Sequence, residues 1–262
     1  MSTILANQPD GPLSTLPDTG TAVLPKSITD ALASGDINRV PVIEGTNATG
    51  WRPFTALAYD LMPRGPVAPA GYLHAIEGSF YLPNSVAQIV ASRYPVSAYH
   101  NPDPALSAAG TVAAFACPAR REIALLAQHV PTYAYEFADP DTAQIFIPPV
   151  APVRVWPDAF VRDPVCPRFH IERDVIQTAI FHPCPAAVGP GHDRLLDSVC
   201  THGKPECPAG DAPFWPAYSG RARYMSLVPP TPHTLSAGQF ANEHECGFWD
   251  QLANSLSSTA AR

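Results

Sequence analysis

Apolar and polar residues follow a pattern that predicts strands and helices in turn along most of the chain. Residues 39–47, "RVPVIEGTN", form an apolar run that ends in turn residues, which predicts a buried strand. In residues 132–137, "TYAYEF", aromatic side chains alternate with smaller or polar ones, and the stretch is rich in residues that favour strands, which predicts a second strand. A third, short strand is predicted over residues 224–228.

Helical spacing separates these strands. Ser27 and Asp30 have the spacing of a capping box and predict a short helix in "LPKSITDALAS". Residues 107–131 predict a long helix that Pro118 bends or splits. Three further segments predict amphipathic helices, with the following inward residues: Phe54, Leu57, Ala58 and Leu61 in residues 50–61; Val86, Ile89 and Val90 in 84–95; Trp249, Leu252 and Leu256 in 243–256.

This alternation of strands and helices predicts an α/β layer architecture. We divide the chain into an irregular segment over 1–20, an ordered region over 21–150, an aberrant segment over 151–211, a second ordered region over 212–256 and a tail over 257–262. In the aberrant segment neither a helical nor a strand period holds. Prolines recur there, and it holds four of the six cysteines: Cys166, Cys184, Cys200 and Cys207.

Composition excludes several classes of protein. The net charge of −7 gives no basic footprint for nucleic acid. No apolar run reaches the length of about 20 residues that a membrane helix needs, so we expect no membrane partner. The first residues lack the charged and apolar regions of a signal peptide, which predicts a cytoplasmic location by default. Proline is in excess, at 32 of 262 residues.

Four stretches together resemble the C-terminal half of the type-B carboxylesterases, the serine-esterase family that includes the cholinesterases. They are "LPKSITDALASGDINRVPVIEGTN", "FACPARREIALLAQHVPTYAYEF", "APFWPAYS" and "CGFWDQL", in the order that the family has them. The resemblance covers roughly residues 20–150 and 211–254. It implies a partial α/β-hydrolase fold, comprising the C-terminal half of the sheet with its helices, and an irregular, disordered insert over 151–211. Although members of the family are often secreted, this chain shows no signal peptide.

The resemblance implies a Ser–Glu/Asp–His triad, and no part of it is found at its expected place. No G-x-S-x-G motif, which would carry the serine, occurs in the chain. Gly45, Thr46 and Asn47 match the family's turn, but Gly50 occupies the position of the acid. Glu44, before this turn, is expected to be a solvated or locally paired carboxylate, and Asp60 a helix-surface residue. We therefore expect no catalytic residue.

The triad histidine should follow the "TYAYEF" strand, but no matching turn occurs there. Translation of residues 155–169 from a shifted reading frame, with suitable codons, restores the family's histidine turn. Residues 192–208 give a second family-like stretch at the same offset. A compensated frame slip therefore accounts for the segment over 151–211. The remaining histidines are expected at the surface or at edges: His74, His100, His129, His233 and His244.

The cysteines have two candidate roles, as a disulfide and as metal ligands. Cys117 and Cys246 match family positions that form a disulfide, and buried free thiols are the alternative in a reducing compartment. Cys200 and Cys207 lack the paired spacing of zinc ligands, so no metal site is expected. No cofactor is expected either.

The first hypothesis for function is therefore an inactive C-terminal fragment of a carboxylic-ester hydrolase, whose ester substrate belongs to the parent family. Two alternatives remain. The chain is half of a split esterase, which a complementing N-terminal half would complete, or it is a non-catalytic binding module on a cholinesterase-like fold.

Overall fold

The computed structural model describes residues 19–63, 65–139, 214–219, 223–228 and 231–260. The predicted aberrant segment over 151–211 lies outside the described residues, as do most of the predicted segment over 1–20 and the end of the tail. The chain divides into two compact units, with the boundary between Arg39 and Val40.

The first unit contains the short helix α1 (Ile28–Ser34). Ser27 Oγ accepts a hydrogen bond from the Asp30 amide at 3.1 Å and so caps the first turn. Gly35 ends the helix with a φ of 68°, a left-handed conformation that glycine adopts without steric cost. The sequence prediction of this helix and of its N-cap is therefore confirmed.

The second unit is built on a sheet whose described strands are β1 (Val42–Asn47), β2 (Thr132–Phe137), β3 (Arg223–Leu227) and β4 (His233–Ser236). The spatial order is β1-β2-β3-β4. The first three strands are parallel to one another and β4 is antiparallel to β3. The predicted α/β class is confirmed, and β1 is an edge strand among the strands that the structure describes.

Helices fill the connection between β1 and β2. They are α2 (Arg52–Thr55), which continues into a π-helical turn over Ala56–Asp60, then α3 (Tyr72–Phe80), α4 (Asn84–Arg93), α5 (Val96–Tyr99), α6 (Pro102–Thr111) and α7 (Cys117–Leu126). A second π-helical turn, Val112–Ala116, joins α6 to α7. After β4 come α8 (Ala237–Glu243) and α9 (Cys246–Ala260).

All three predicted helical faces are wrong in part. In α4, Val86 and Val90 are buried, but Ile89 is 50% exposed because the buried face also includes Ala87, which turns it away from Ile89. In the helix predicted over residues 50–61, three of the four residues expected to face inward are exposed: Phe54 at 38%, Leu57 at 49%, and Ala58. The π-helical turn accounts for Leu57 and Ala58, because its wider winding departs from the 3.6-residue period, but Phe54 lies before this turn.

The same π-helical turn buries Asp60, which was expected on a helix surface. Asp60 is 8% exposed, so that expectation is wrong. The predicted long helix is interrupted before Pro118, which lies in the first turn of α7 after the second π-helical turn. Proline is tolerated there because it has no amide hydrogen to donate and a first turn requires none.

The core packs against both faces of the sheet. On one face, the Tyr224 and Phe240 rings stack with centroids 4.1 Å apart, and Ile123 of α7 belongs to the same cluster. On the other face, Trp215 packs against Met225, and its indole donates a hydrogen bond to the Ala134 carbonyl. Aromatic and branched side chains on strands produce this two-sided burial.

A disulfide joins Cys117 at the start of α7 to Cys246 at the start of α9, as the resemblance implies. The two cysteines are 129 positions apart in sequence. Along α9, Leu252 is buried as predicted, whereas Leu256 is 38% exposed and so lies outside the buried face.

Candidate functional site

The turn after β1 positions Gly50 where the resemblance expects an acid. The Gly50 amide donates a hydrogen bond to the Asn47 carbonyl at 3.3 Å, which closes the turn. The next amide, that of Trp51, donates to Thr111 Oγ1 at 3.0 Å and fixes the turn to α6. A Cβ atom added to Gly50 would lie 3.1 Å from the Phe115 ring, a side chain that can shift. The backbone therefore does not require glycine here.

Gly50 lies in a cleft of about 460 Å³ beside β1, which we call the Gly50 cleft. The cleft contains residues from β1, from the turn after it and from α7. Its principal lining residues are Glu44, Asn47, Gly50, Phe115, Glu122 and Tyr135. Among the described residues that line it, none is serine, histidine or cysteine. Its ionisable groups are therefore carboxyls and a phenol.

Glu44 is the most strongly perturbed group in the Gly50 cleft. Burial, which has the largest effect, together with a hydrogen bond to Glu122 and the charge of Glu122, raises the pKa of Glu44 from its ordinary value of 4.5 to about 8. Of the two expectations for Glu44, a solvated carboxylate is therefore wrong, whereas a paired carboxyl is found, with a partner that is distant in sequence. Glu44 is half-buried and paired with a carboxyl of α7, which follows it by 78 positions in sequence.

A second cleft, of about 320 Å³, lies between the turn after β1, α6 and the α8–α9 junction; we call it the His244 cleft. On the side of α8, His244 Nε2 lies 2.5 Å from Oε1 of Glu136 on β2. Both side chains are buried, Glu136 at 4% and His244 at 6% exposure. The expectation of a surface or edge histidine at position 244 is therefore wrong, because β2 supplies a buried partner.

Two hydroxyl groups of the His244 cleft, those of Ser107 and Thr111, make their hydrogen bonds with α6 and its neighbours rather than with the imidazole. Ser107 Oγ lies 2.7 Å from the Asp103 carbonyl oxygen and 2.9 Å from Thr55 Oγ1. Thr111 Oγ1 donates to the Ser107 carbonyl and accepts from the backbone after Gly50. Neither of these hydroxyls makes a hydrogen bond to His244, so the arrangement is a carboxylate–imidazole pair whose imidazole is bonded to no hydroxyl among the described residues.

Sequence reasoning missed this pair. The signal for one partner was present, because Glu136 interrupts an otherwise apolar and aromatic strand, and a buried carboxylate needs a compensating partner. No local signal identified His244 as that partner, because 108 positions separate the two residues.

Among the residues that the structure describes, no group of three or more histidine, cysteine, aspartate or glutamate side chains could hold a metal ion. The cysteines and histidines considered as zinc ligands, Cys200 and Cys207 with their neighbours, lie outside the described residues. Within the described part of the chain, no helix is both long and apolar enough to cross a membrane.

No protein-family model matches the chain, and no curated protein matches it either. The resemblance to the type-B carboxylesterases therefore has only the chain's own residues in support.

Proposed function

We propose that the chain is a C-terminal portion of a type-B carboxylesterase with a partial α/β-hydrolase fold, and that it does not hydrolyse esters on its own. The proposal is supported by the parallel strands β1, β2 and β3 with helices in the first connection, and by the turn after β1 that matches the family's acid-bearing turn. The Cys117–Cys246 disulfide, which the resemblance implies, supports it further.

The observation that carries the proposal is the composition of the Gly50 cleft. Ester hydrolysis by this family requires a nucleophilic oxygen, an imidazole that moves its proton and a carboxylate that orients the imidazole. Gly50 stands at the position of the carboxylate, and neither serine nor histidine lines the cleft among the described residues. The Thr46 hydroxyl lines it, but this hydroxyl donates to the Asn47 carbonyl at 3.3 Å. The cleft therefore offers no serine nucleophile and no imidazole to carry a proton.

Glu44 does not replace the missing acid. A triad carboxylate acts by its negative charge, which stabilises the imidazolium that forms during the reaction. With a pKa raised to about 8, the Glu44 carboxyl is mostly protonated at pH 7 and carries little charge. Its hydrogen bond to Glu122 also holds it away from this role.

Hydrolysis of p-nitrophenyl acetate by purified chain tests the proposal, with Gly50→Glu as the matched variant. A side chain fits at this position with a small shift of Phe115, so the variant restores the family's carboxylate. We expect both proteins to give the buffer rate, because the carboxylate alone has nothing to orient. Saturable turnover by the unsubstituted chain would contradict the proposal, whereas turnover by the variant alone would show that only the acid was missing.

A second candidate, half of a split esterase, is favoured by the outer edge of β1. The Val42 amide donates to the carbonyl of Pro131, just before β2, and the Ala48 amide donates to the carbonyl of Phe137, at the end of β2; both distances are 2.9 Å. Backbone groups alternate along a strand, so those of Ile43 point to the other side, where no described strand lies. An incoming strand could pair there.

Co-expression with a polypeptide encoded upstream of this chain tests the second candidate. If the chain is half of an enzyme, the two polypeptides are expected to purify as a 1:1 complex that hydrolyses p-nitrophenyl acetate. The matched control is Ile43→Pro, which removes an outward amide donor at the edge of β1 and should prevent the complex. Separate elution of the two unsubstituted polypeptides would exclude this candidate.

A further inference from the structure

The buried Glu136–His244 pair leaves one imidazole nitrogen unused. His244 Nε2 faces the Glu136 carboxylate, which can only accept a hydrogen bond, so Nε2 carries the proton that it donates. In the neutral ring, the lone pair is then on Nδ1. Among the described residues, Nδ1 has no hydrogen-bond partner. The pairing therefore fixes the tautomer and orients an unoccupied acceptor.

This unoccupied nitrogen keeps some exposure, and it belongs to a residue that lines the His244 cleft. Nδ1 is not among the fully buried polar atoms that lack a partner, although His244 as a whole is only 6% exposed. Its remaining exposure must lead to open space, and His244 lines the cleft of about 320 Å³. A group that enters the cleft can therefore donate a hydrogen bond to Nδ1.

Arg52 supplies a positive charge to the same cleft. It follows the turn after β1 and is half-buried, and burial lowers the pKa of its guanidinium while leaving it charged. No ion pair or hydrogen bond of its side chain occurs with any other described residue. A half-buried guanidinium without a partner favours an anion, above all a carboxylate, which it binds through two parallel hydrogen bonds.

The remaining walls restrict the ligand's shape. Tyr94 and Tyr99 line the cleft, and the Tyr94 hydroxyl already accepts a hydrogen bond from the Trp249 indole at 2.9 Å. These walls therefore offer mainly flat apolar surface. Two carboxylates, those of Glu243 and Glu245, also line the cleft. Glu245 is paired with Arg93 at 2.7 Å, which reduces its repulsion of an anion, and Glu243 is exposed to solvent, which screens its charge. A cleft of this size accepts a ligand of roughly ten non-hydrogen atoms.

We propose that the His244 cleft binds a small hydroxycarboxylate, with its carboxylate on Arg52 and its hydroxyl donating to His244 Nδ1. Both residues line the same cleft, and each has a hydrogen-bonding group without a partner: the guanidinium donors of Arg52 and the Nδ1 acceptor of His244. A purely structural role of the Glu136–His244 pair accounts for the burial of the pair. It does not account for the unpaired guanidinium beside it.

Three probes that differ by one group separate the two contacts. 4-Hydroxybenzoate has both a carboxylate and a hydroxyl, benzoate lacks the hydroxyl, and 4-hydroxybenzyl alcohol lacks the carboxylate. Binding is measured on the full disulfide-bonded chain by the NMR shifts of ¹³C-labelled histidine rings. For 4-hydroxybenzoate we expect a Kd of about 1–10 mM, typical of so small a ligand, with saturable shifts confined to His244.

The missing groups should lower the affinity by different amounts. We expect benzoate to bind about fivefold more weakly, because it leaves Nδ1 without its donor. For 4-hydroxybenzyl alcohol we expect a loss of at least tenfold, because the charged contact with Arg52 is stronger. This comparison uses only the unsubstituted chain, so it does not depend on whether a variant folds.

Two substitutions then test Arg52 directly. Arg52→Gln should weaken 4-hydroxybenzoate at least tenfold and bring it close to the affinity of the alcohol. The matched control, Arg39→Gln, removes the same charge from a residue that does not line the cleft, and should leave the Kd unchanged.

Several results would overturn the proposal: no saturable His244 shift with 4-hydroxybenzoate up to about 50 mM, equal affinities for the three probes, or an unchanged Kd in Arg52→Gln. A shift that accompanies all small aromatic compounds alike would mean adventitious binding in a polar crevice.

Discussion

The Glu44–Glu122 carboxyl pair should make the stability of the chain fall as the pH rises. In the folded state the Glu44 carboxyl, with a pKa near 8, holds its proton over a range where the unfolded chain, with the ordinary value of 4.5, has released it. The folded state therefore binds more protons between about pH 4.5 and 8. The contribution of the Glu44 proton to stability is then fully present below pH 4.5 and is lost as the pH rises to about 8.

The size of this loss follows from the two pKa values. A rise from 4.5 to about 8 corresponds to about 5 kcal/mol when each unit of pKa contributes 1.36 kcal/mol. Glu44 is only half-buried, and solvent screens part of that interaction. We therefore expect the ionised carboxyl to cost about 2 kcal/mol at pH 9.

Glu44→Gln tests this reasoning, because an amide is close in shape to the protonated carboxyl and cannot ionise. Urea unfolding should show the variant and the unsubstituted chain within about 0.5 kcal/mol of each other at pH 5. At pH 9 the variant should be more stable by about 2 kcal/mol. Glu243→Gln, which removes the charge of an exposed carboxylate, is the control. An equal effect of Glu44→Gln at both pH values would refute the reasoning.

Three further sets of variants test the disulfide, the packing and the buried pair by urea unfolding. The double variant C117A/C246A, or reduction of the disulfide, should lower the free energy of unfolding by about 4 kcal/mol, because the bridge spans 129 positions; an unchanged value would contradict a formed bridge. Gly110→Ala should cost about 3 kcal/mol, because the new Cβ would overlap a buried indole ring, whereas Gly78→Ala, in open space on α3, should gain about 0.5 kcal/mol; equal effects would show that the close packing is incorrect. Glu136→Leu should cost about 3 kcal/mol, and Glu136→Gln about 1 kcal/mol because the amide oxygen still accepts from the imidazole; equal costs would argue against that hydrogen bond.

Three of the four described strands were predictable because their signals are local, whereas β4 (His233–Ser236) was not predicted. Residues 132–137 are a strand in the structure over the same range that the β-branched and aromatic pattern predicts, and the third strand differs from its prediction by one residue at each end. The cap of α1 was equally predictable, since Ser27 and Asp30 are only three positions apart. Short-range chemistry decides such elements.

The helical faces were less predictable because two π-helical turns break the assumed period. The first displaces Leu57 to the surface and buries Asp60, and the second separates α6 from α7 before Pro118. A pattern of 3.6 residues per turn contains no information about where an extra residue is inserted.

The sites could be predicted only where the sequence offered a template. Gly50 was identified by matching the turn after β1, and the structure places it in a cleft with Glu44 and Glu122. The Glu136–His244 pair had no such template, because a buried contact between distant residues leaves no trace in their local patterns.

Labelling with a fluorophosphonate, read by intact-protein mass, tests the central claim most directly. This reagent forms a bond only with a serine that a neighbouring base activates. We expect an unlabelled chain after prolonged exposure, with an active type-B carboxylesterase labelled completely in the same tube as the positive control. One equivalent of label on a single serine of this chain would contradict the account.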